Sequence, residues 1–147
     1  MKVKEILKSK GSKVWSVKSH ETIKDAVCIL VLQKIGALLV HDRNEDIVGI
    51  VTERDVMRAC HEYGNQVTDV VISKIMTKNV IIGDPEDDLD YIMNIMTKNR
   101  LRHVPIVENG EIKGIVSIGD VVKALLHDSQ IQIRYLKDFI HGHQSES

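Results

Sequence analysis

The chain is a duplication, and this limits its possible folds more than any other feature. Gly49-Ile50-Val51-Thr52-Glu53-Arg54-Asp55-Val56-Met57-Arg58 matches Gly114-Ile115-Val116-Ser117-Ile118-Gly119-Asp120-Val121-Val122-Lys123 at an offset of 65. Upstream the offset becomes 66: Ala37-Leu38-Leu39-Val40 matches His103-Val104-Pro105-Ile106, and Val14-Trp15-Ser16 matches Val80-Ile81-Ile82. Near the start Ile6-Leu7 matches Ile75-Met76, with three extra residues following in the first copy. Such offset changes belong in loops, where insertions are tolerated. A repeat of this kind means one supersecondary unit used twice.

Each copy reads as strand, helix, strand, strand, helix. The first strands fall at 14–17 and 80–82. Helices follow at 22–34, where Ile23, Ala26, Val27 and Leu30 recur at helical spacing, and at 88–99, where Leu89, Ile92, Met93 and Met96 do the same. Strand pairs come next, at 37–41 with 47–51 and at 103–107 with 112–116. Asn109-Gly110 joins the second pair and signals a two-residue hairpin. Final helices are expected at 53–62 and 118–126, and residues 63–69 read as a linker. These boundaries divide the chain into 1–65, 66–128 and a third piece, 129–147, in which 129–140 forms an added helix and 141–147 frays. The fold class is α/β of the α+β kind. One unit of ~55–60 residues buries too little surface to be comfortable alone. Two copies packed about a pseudo-two-fold, sheet against sheet, solve that and leave two equivalent clefts.

The shared signature, Gly-aliphatic-aliphatic-Thr/Ser-x-x-Asp, stands where a strand leads into a helix. Thr52-x-x-Asp55 and Ser117-x-x-Asp120 have the form of a capping box. The same atoms suit a nucleotide. A helix start favours an anion, a hydroxyl helps hold a phosphate, and an ionised Asp accepts from both vicinal hydroxyls of a ribose. Apolar residues such as Leu39, Ile81 and Pro105 can sandwich a base. Gly49 and Gly114 let a backbone or a ligand approach closely. Arg54 in one copy and Arg102 in the other supply a cation that pairs with phosphate, or are solvated surface residues. His103 faces the ligand or is a core histidine satisfied by a carbonyl.

Composition excludes several classes. There are 20 Lys+Arg against 21 Asp+Glu, a balance that argues against sequence-independent nucleic-acid binding. No apolar run approaches the roughly 18 residues a membrane span needs, and the start, MKVKEILKSKGSK, lacks the apolar stretch of a secretory signal. Two cysteines, Cys28 and Cys60, make no disulfide framework and fit a cytoplasmic compartment. No phosphate-binding glycine loop, metalloprotease helix or nucleophile elbow is present. His141-Gly142-His143 reads as a solvated end, the acidic run 84–90 as a helix opening, Cys28 as a boundary residue, and Met57, Met76, Met93 and Met96 as core fillers. No catalytic set is expected; the acidic run permits a Mg²⁺ site without requiring one, and no other metal site is expected.

GIVTERDVMRA, RLRHVPIV and GIVSIGDVVKA give the chain a strong resemblance to tandem cystathionine-β-synthase (CBS) domain pairs, or Bateman modules, and within them to stand-alone bacterial pairs and plant CBSX-type proteins. The resemblance implies two βαββα repeats, a disc-like homodimer, and a non-catalytic regulatory role for an adenosine-containing ligand. AMP, ADP, ATP, NAD(H) and S-adenosylmethionine all serve in the family, AMP foremost here, with no required cofactor. Carried over by position, Asp55 and Asp120 bind ribose, Thr52 and Ser117 sit at ribose or phosphate, and Arg54, Arg102 and His103 face phosphate. Ser16, Ala37, Leu39, Ile82 and Pro105 line the base pocket. Ser19 stands where the family has a proline, as Pro85 does in copy two, and Gly83 interrupts the first strand of that copy. The cleft holding Asp120, Arg102 and His103 is expected to be the better one. The partner that reads the ligand is not specified by the sequence. A constitutive dimerisation scaffold without ligand is the other reading.

Overall fold

The computed structural model describes residues 1–127 and, beyond them, Lys137 and Ile140. The added helix expected at 129–140, apart from those two positions, and the end at 141–147 with His141 and His143 lie outside the described residues. The order is α1 (Val3–Lys10), β1 (Ser16–Lys18), α2 (Ile23–Gln33), β2 (Ala37–His41), β3 (Ile47–Thr52), α3 (Glu53–Tyr63), α4 (Leu89–Asn99), β4 (His103–Glu108), β5 (Glu111–Ser117) and α5 (Ile118–His127). Short 3₁₀ turns cover Gly64–Asp69, inside the expected linker, and Ile72–Lys74.

The chain forms two compact units: Ser12–Ile82, and Met1–Gly11 together with the chain from Gly83 onward. In the first unit β1 pairs parallel to β2 and β2 antiparallel to β3. Its core gathers Val17, Ala26, Leu30, Leu38, Val40, Val51 and Ile72. Thr22 caps α2, accepting from Asp25 N while Asp25 Oδ2 accepts from Thr22 N at 3.0 Å. In the second unit β4 pairs antiparallel to β5, and the helical pattern Leu89, Ile92 and Met96 packs with Val104, Ile106, Val116 and Val121. The 66-residue offset extends to the helix ends. α2 and α4 both stop at a left-handed residue, Lys34 and Arg100, each with φ 55°. Asn109 and Gly110 both take positive φ, which a type I′ hairpin turn requires.

Three expectations need correction. The strand expected at 80–82 is absent. In its place Gly83 alone bridges parallel to Ile106, the station that Val17 holds opposite Val40 in the first unit. Gly83 has no side chain to pack, and a Cβ there would meet Ile92 Cδ1 at 2.8 Å, so pairing shrinks to one residue before Pro85. Met57 is no core filler: it is 65% exposed, because α3 turns Asp55 and Ala59 inward instead. Cys28 is exposed rather than at a boundary.

α1, not recognised as a helix in the sequence, completes the second unit. Val3 and Ile6 join its core, and Leu7 packs on the glycine station of β5, where a Cβ on Gly114 would meet Leu7 Cδ2 at 2.7 Å. The segment after Ile72–Lys74 does the same for β3. Thr77 bridges Ile50 through two backbone bonds of 3.0 and 2.8 Å, and a Cβ on Gly49 would lie 2.7 Å from Thr77 O. The repeated glycines are thus explained by a crossing backbone in one unit and a crossing leucine in the other. Backbone cannot give way as a side-chain tip can. Gly49→Ala is therefore expected to cost ~1–3 kcal/mol in urea unfolding, the usual price of overpacking; an unchanged midpoint would refute the crossing.

Candidate functional site

Each repeat motif folds as a strand running straight into a helix. Thr52 and Ser117 end their strands, and Asp55 and Asp120 lie in the first turn of α3 and α5. Thr52 keeps extended backbone, φ −118° and ψ 168°, so its hydroxyl turns back over the helix start. Thr52 N donates to Asp55 Oδ2 at 2.9 Å and Asp55 N donates to Thr52 Oγ1 at 3.3 Å. Ser117 N donates to Asp120 Oδ2 at 2.8 Å and Asp120 N to Ser117 Oγ at 3.1 Å. The next amides are also taken: Glu53 N donates to Gly36 O and Ile118 N to Arg102 O. Among the described residues, the Arg54 and Gly119 amides are left without a cap partner. An anion at either corner meets one backbone donor and the helix dipole, not a ring of donors.

The two acids have different surroundings. Asp55 is 7% exposed. Thr77 Oγ1 lies 3.2 Å from its Oδ1 and 3.4 Å from its Oδ2, and Thr52 Oγ1 donates to Oδ2 at 3.2 Å, so both oxygens are engaged. Asp120 keeps 24% of its side chain exposed. Its Oδ2 accepts from Ser117 N and, at 2.6 Å, from the ammonium of Lys10, which also donates to Ile115 O at 2.7 Å. Its Oδ1 has no hydrogen-bond partner among the described residues. Burial pushes the Asp120 carboxyl up, but the Lys10 and Ser117 donors outweigh it and the pKa falls below the ordinary 3.8.

The remaining expected residues divide between the units. Ala37 stands opposite Thr52 in the β2–β3 register and His103 opposite Ser117 in the β4–β5 register. The first corner therefore brings together Ala37, Thr52, Arg54 and Asp55, and the second Arg102, His103, Ser117 and Asp120. Arg102 is exposed and Arg54 partly so. Ser16 is exposed and pairs with Leu39, whose own side chain is only 1% accessible. Ala37 and Pro105 are buried too, while Ile82 is exposed and belongs to no strand. Thr77 and Lys10 were missed in the sequence. Thr77 directly follows the Ile75-Met76 match, and Lys10 lies in the stretch after Ile6-Leu7 that holds three extra residues, which by itself says nothing of Asp120. In the acidic run, Asp87 Oδ2 accepts from Asp84 N and Asp84 Oδ1 from Glu86 N, so these carboxylates brace a turn. Among the described residues no three His, Cys, Asp or Glu side chains converge as metal ligands, and no helix is long and apolar enough to cross a membrane.

The CBS domain family matches residues 3–62 and again 72–127. The chain belongs to the CBS-domain family. Its two matches make it a tandem CBS pair. It is 34% identical over 149 residues to the mitochondrial CBS domain-containing protein CBSX3 of Arabidopsis thaliana, covering 95% of this chain and 72% of that one. A CBS-domain containing protein of known structure from Agrobacterium tumefaciens superposes with TM-score 0.81 at 43% identity, over 84% of this chain and 92% of that one. The CBS domain pair of protein MJ0100, solved in complex with 5′-methylthioadenosine and S-adenosyl-L-methionine, superposes with TM-score 0.74 at 28% identity, over 85% of this chain and 99% of that one.

In this CBS pair the Lys10–Asp120 contact has a direct pH signature. A carboxyl whose folded pKa lies below its unfolded value stabilises the fold above the unfolded value, and that contribution is lost as pH falls through the folded one. An NMR titration of side-chain carboxyl carbons is expected to find Asp120 below 3.8, and Lys10→Met is expected to raise it. No change in that titration would show that the ion pair does not form in solution.

Proposed function

We propose that this CBS pair is a non-catalytic regulatory module that binds an adenine nucleotide at the Asp120 corner and signals to a partner protein through a conformational change of a homodimer. One observation carries the choice of corner: among the described residues Asp120 keeps a carboxylate oxygen without a hydrogen-bond partner on a partly open side chain, whereas both oxygens of Asp55 are taken. A ribose diol needs an acceptor of the first kind. Arg102, His103 and the Gly119 amide surround that corner with groups that favour phosphate, so AMP is the first ligand to test. The MJ0100 pair with its two adenosine compounds supports the ligand class. The Lys10 ammonium and the Ser117 amide hold Asp120 in its ionised form, which suits binding rather than proton transfer. The free, exposed cysteines suit a reducing compartment, cytoplasm or organelle matrix.

Titration calorimetry of the full chain with AMP, ATP, NAD(H) and S-adenosylmethionine tests this. Asp120→Ala is expected to weaken the best ligand by tenfold or more. Asp55→Ala should instead cost ~1 kcal/mol of stability, as loss of a cap does, and leave affinity intact. Loss of binding in Asp55→Ala alone would reverse the assignment. Absence of binding by any of these compounds would end it, and would favour a ligand-free dimerisation scaffold, the reading for which the sealed Asp55 speaks.

Self-association has its own support. α5 exposes Val122 and, at its start, Ile118, beside Gly119 and Leu126 along one shallow apolar hollow. α2 exposes Val31 and Leu32. A second copy would bury such surfaces, and a ligand that prefers one dimer state shifts the population toward it. Light scattering is expected to find a dimer at micromolar concentration and a monomer for Val122→Glu. A dimer that persists in that variant would exclude α5 from the interface.

A further inference from the structure

Lys10 and Thr77 hold equivalent stations in the two halves. Thr77 bonds to Ile50 and Asp55, while Lys10 bonds to Ile115 and Asp120, and the two sets of partners are related by the 65-residue offset. The station is neutral in one half and cationic in the other. Lys10 arrives there from α1, outside the hairpin and helix that make the corner. Its side chain stays 40% exposed, on a flexible four-carbon stem. It can therefore turn from Asp120 toward an incoming anion without leaving the corner.

The geometry points to Lys10 as the specificity-determining residue of the Asp120 site, selecting adenosine compounds with a 5′-phosphate over those with a neutral or cationic 5′ group. This rests on the reading of Asp120 as the ribose acceptor. A ligand without phosphate brings a diol that competes with the ammonium for one carboxylate and offers the displaced ammonium nothing. A 5′-phosphate brings the ammonium a second anion, so that it remains paired when the diol engages Asp120. Charge-assisted bonds of this kind are the strong ones. The Thr77 station, uncharged and set on a buried Asp55, has no such preference.

Titration calorimetry of the full chain with AMP, adenosine and 5′-methylthioadenosine, for the wild type, Lys10→Met and Lys10→Arg, tests the inference. The wild type is expected to bind AMP about tenfold or more tighter than the other two compounds. Lys10→Met should lose that margin, weakening AMP about tenfold while leaving adenosine and 5′-methylthioadenosine unchanged or tighter, because Asp120 loses its competitor. Lys10→Arg should restore the preference for AMP. A purely structural role for Lys10 would weaken all three ligands alike. That result, equal wild-type affinity for the three, or unchanged AMP binding by Lys10→Met, overturns the role of Lys10 and leaves Asp120 as ribose acceptor standing. Wild-type protein that binds none of them overturns both.

Discussion

The acid in the first turn of α3, and likewise of α5, is gripped from outside its own hairpin. In one unit the grip is the Thr77 hydroxyl, in the other the Lys10 ammonium. The rest of the corner follows. A segment must cross the hairpin to deliver that grip, so the strand beneath it carries glycine at 49 or 114. The same carboxylate caps its helix, which ties the helix start to the end of the strand before it. The chemical difference between hydroxyl and ammonium goes with a difference in closure: Asp55 is 7% exposed, whereas Asp120 keeps 24% of its side chain exposed.

The crossing segments also make each compact unit a product of both repeats. α1 opens the first repeat, yet Val3 and Ile6 are packed in the core that contains Leu89, Ile92 and Val104 of the second. Ile72 opens the second repeat, yet it packs with Val17, Leu38 and Val51 of the first. Each repeat lends its leader to the other's hairpin. A unit this small gains a core large enough to hold only with that added layer.

The duplication, the hairpins and the helical faces were legible because they rest on local spacing: Ile23, Ala26 and Leu30, or Asn109-Gly110, carry their meaning within a few residues. The hydroxyl-x-x-Asp motif was equally legible as a cap. The grips were not. Lys10 reaches Asp120 across 110 positions and Thr77 reaches Asp55 across 22, and no local pattern marks either residue. The first strand of the second repeat failed for a related reason. Val80-Ile81-Ile82 has strand-forming side chains, but the pairing falls on Gly83, set by register with Ile106 rather than by propensity. Met57 misled because methionine on a helix reads as apolar filling, while the inward face of α3 had gone to Asp55 and Ala59.

The central claim is that Asp120, not Asp55, accepts a ribose. A crystal structure of the full chain grown with AMP tests it most directly. The account predicts the 2′ and 3′ hydroxyls within hydrogen-bond distance of Asp120, with Thr77 still closed on Asp55. A nucleotide seated on Asp55 instead, with Asp120 still paired to Lys10, would contradict it.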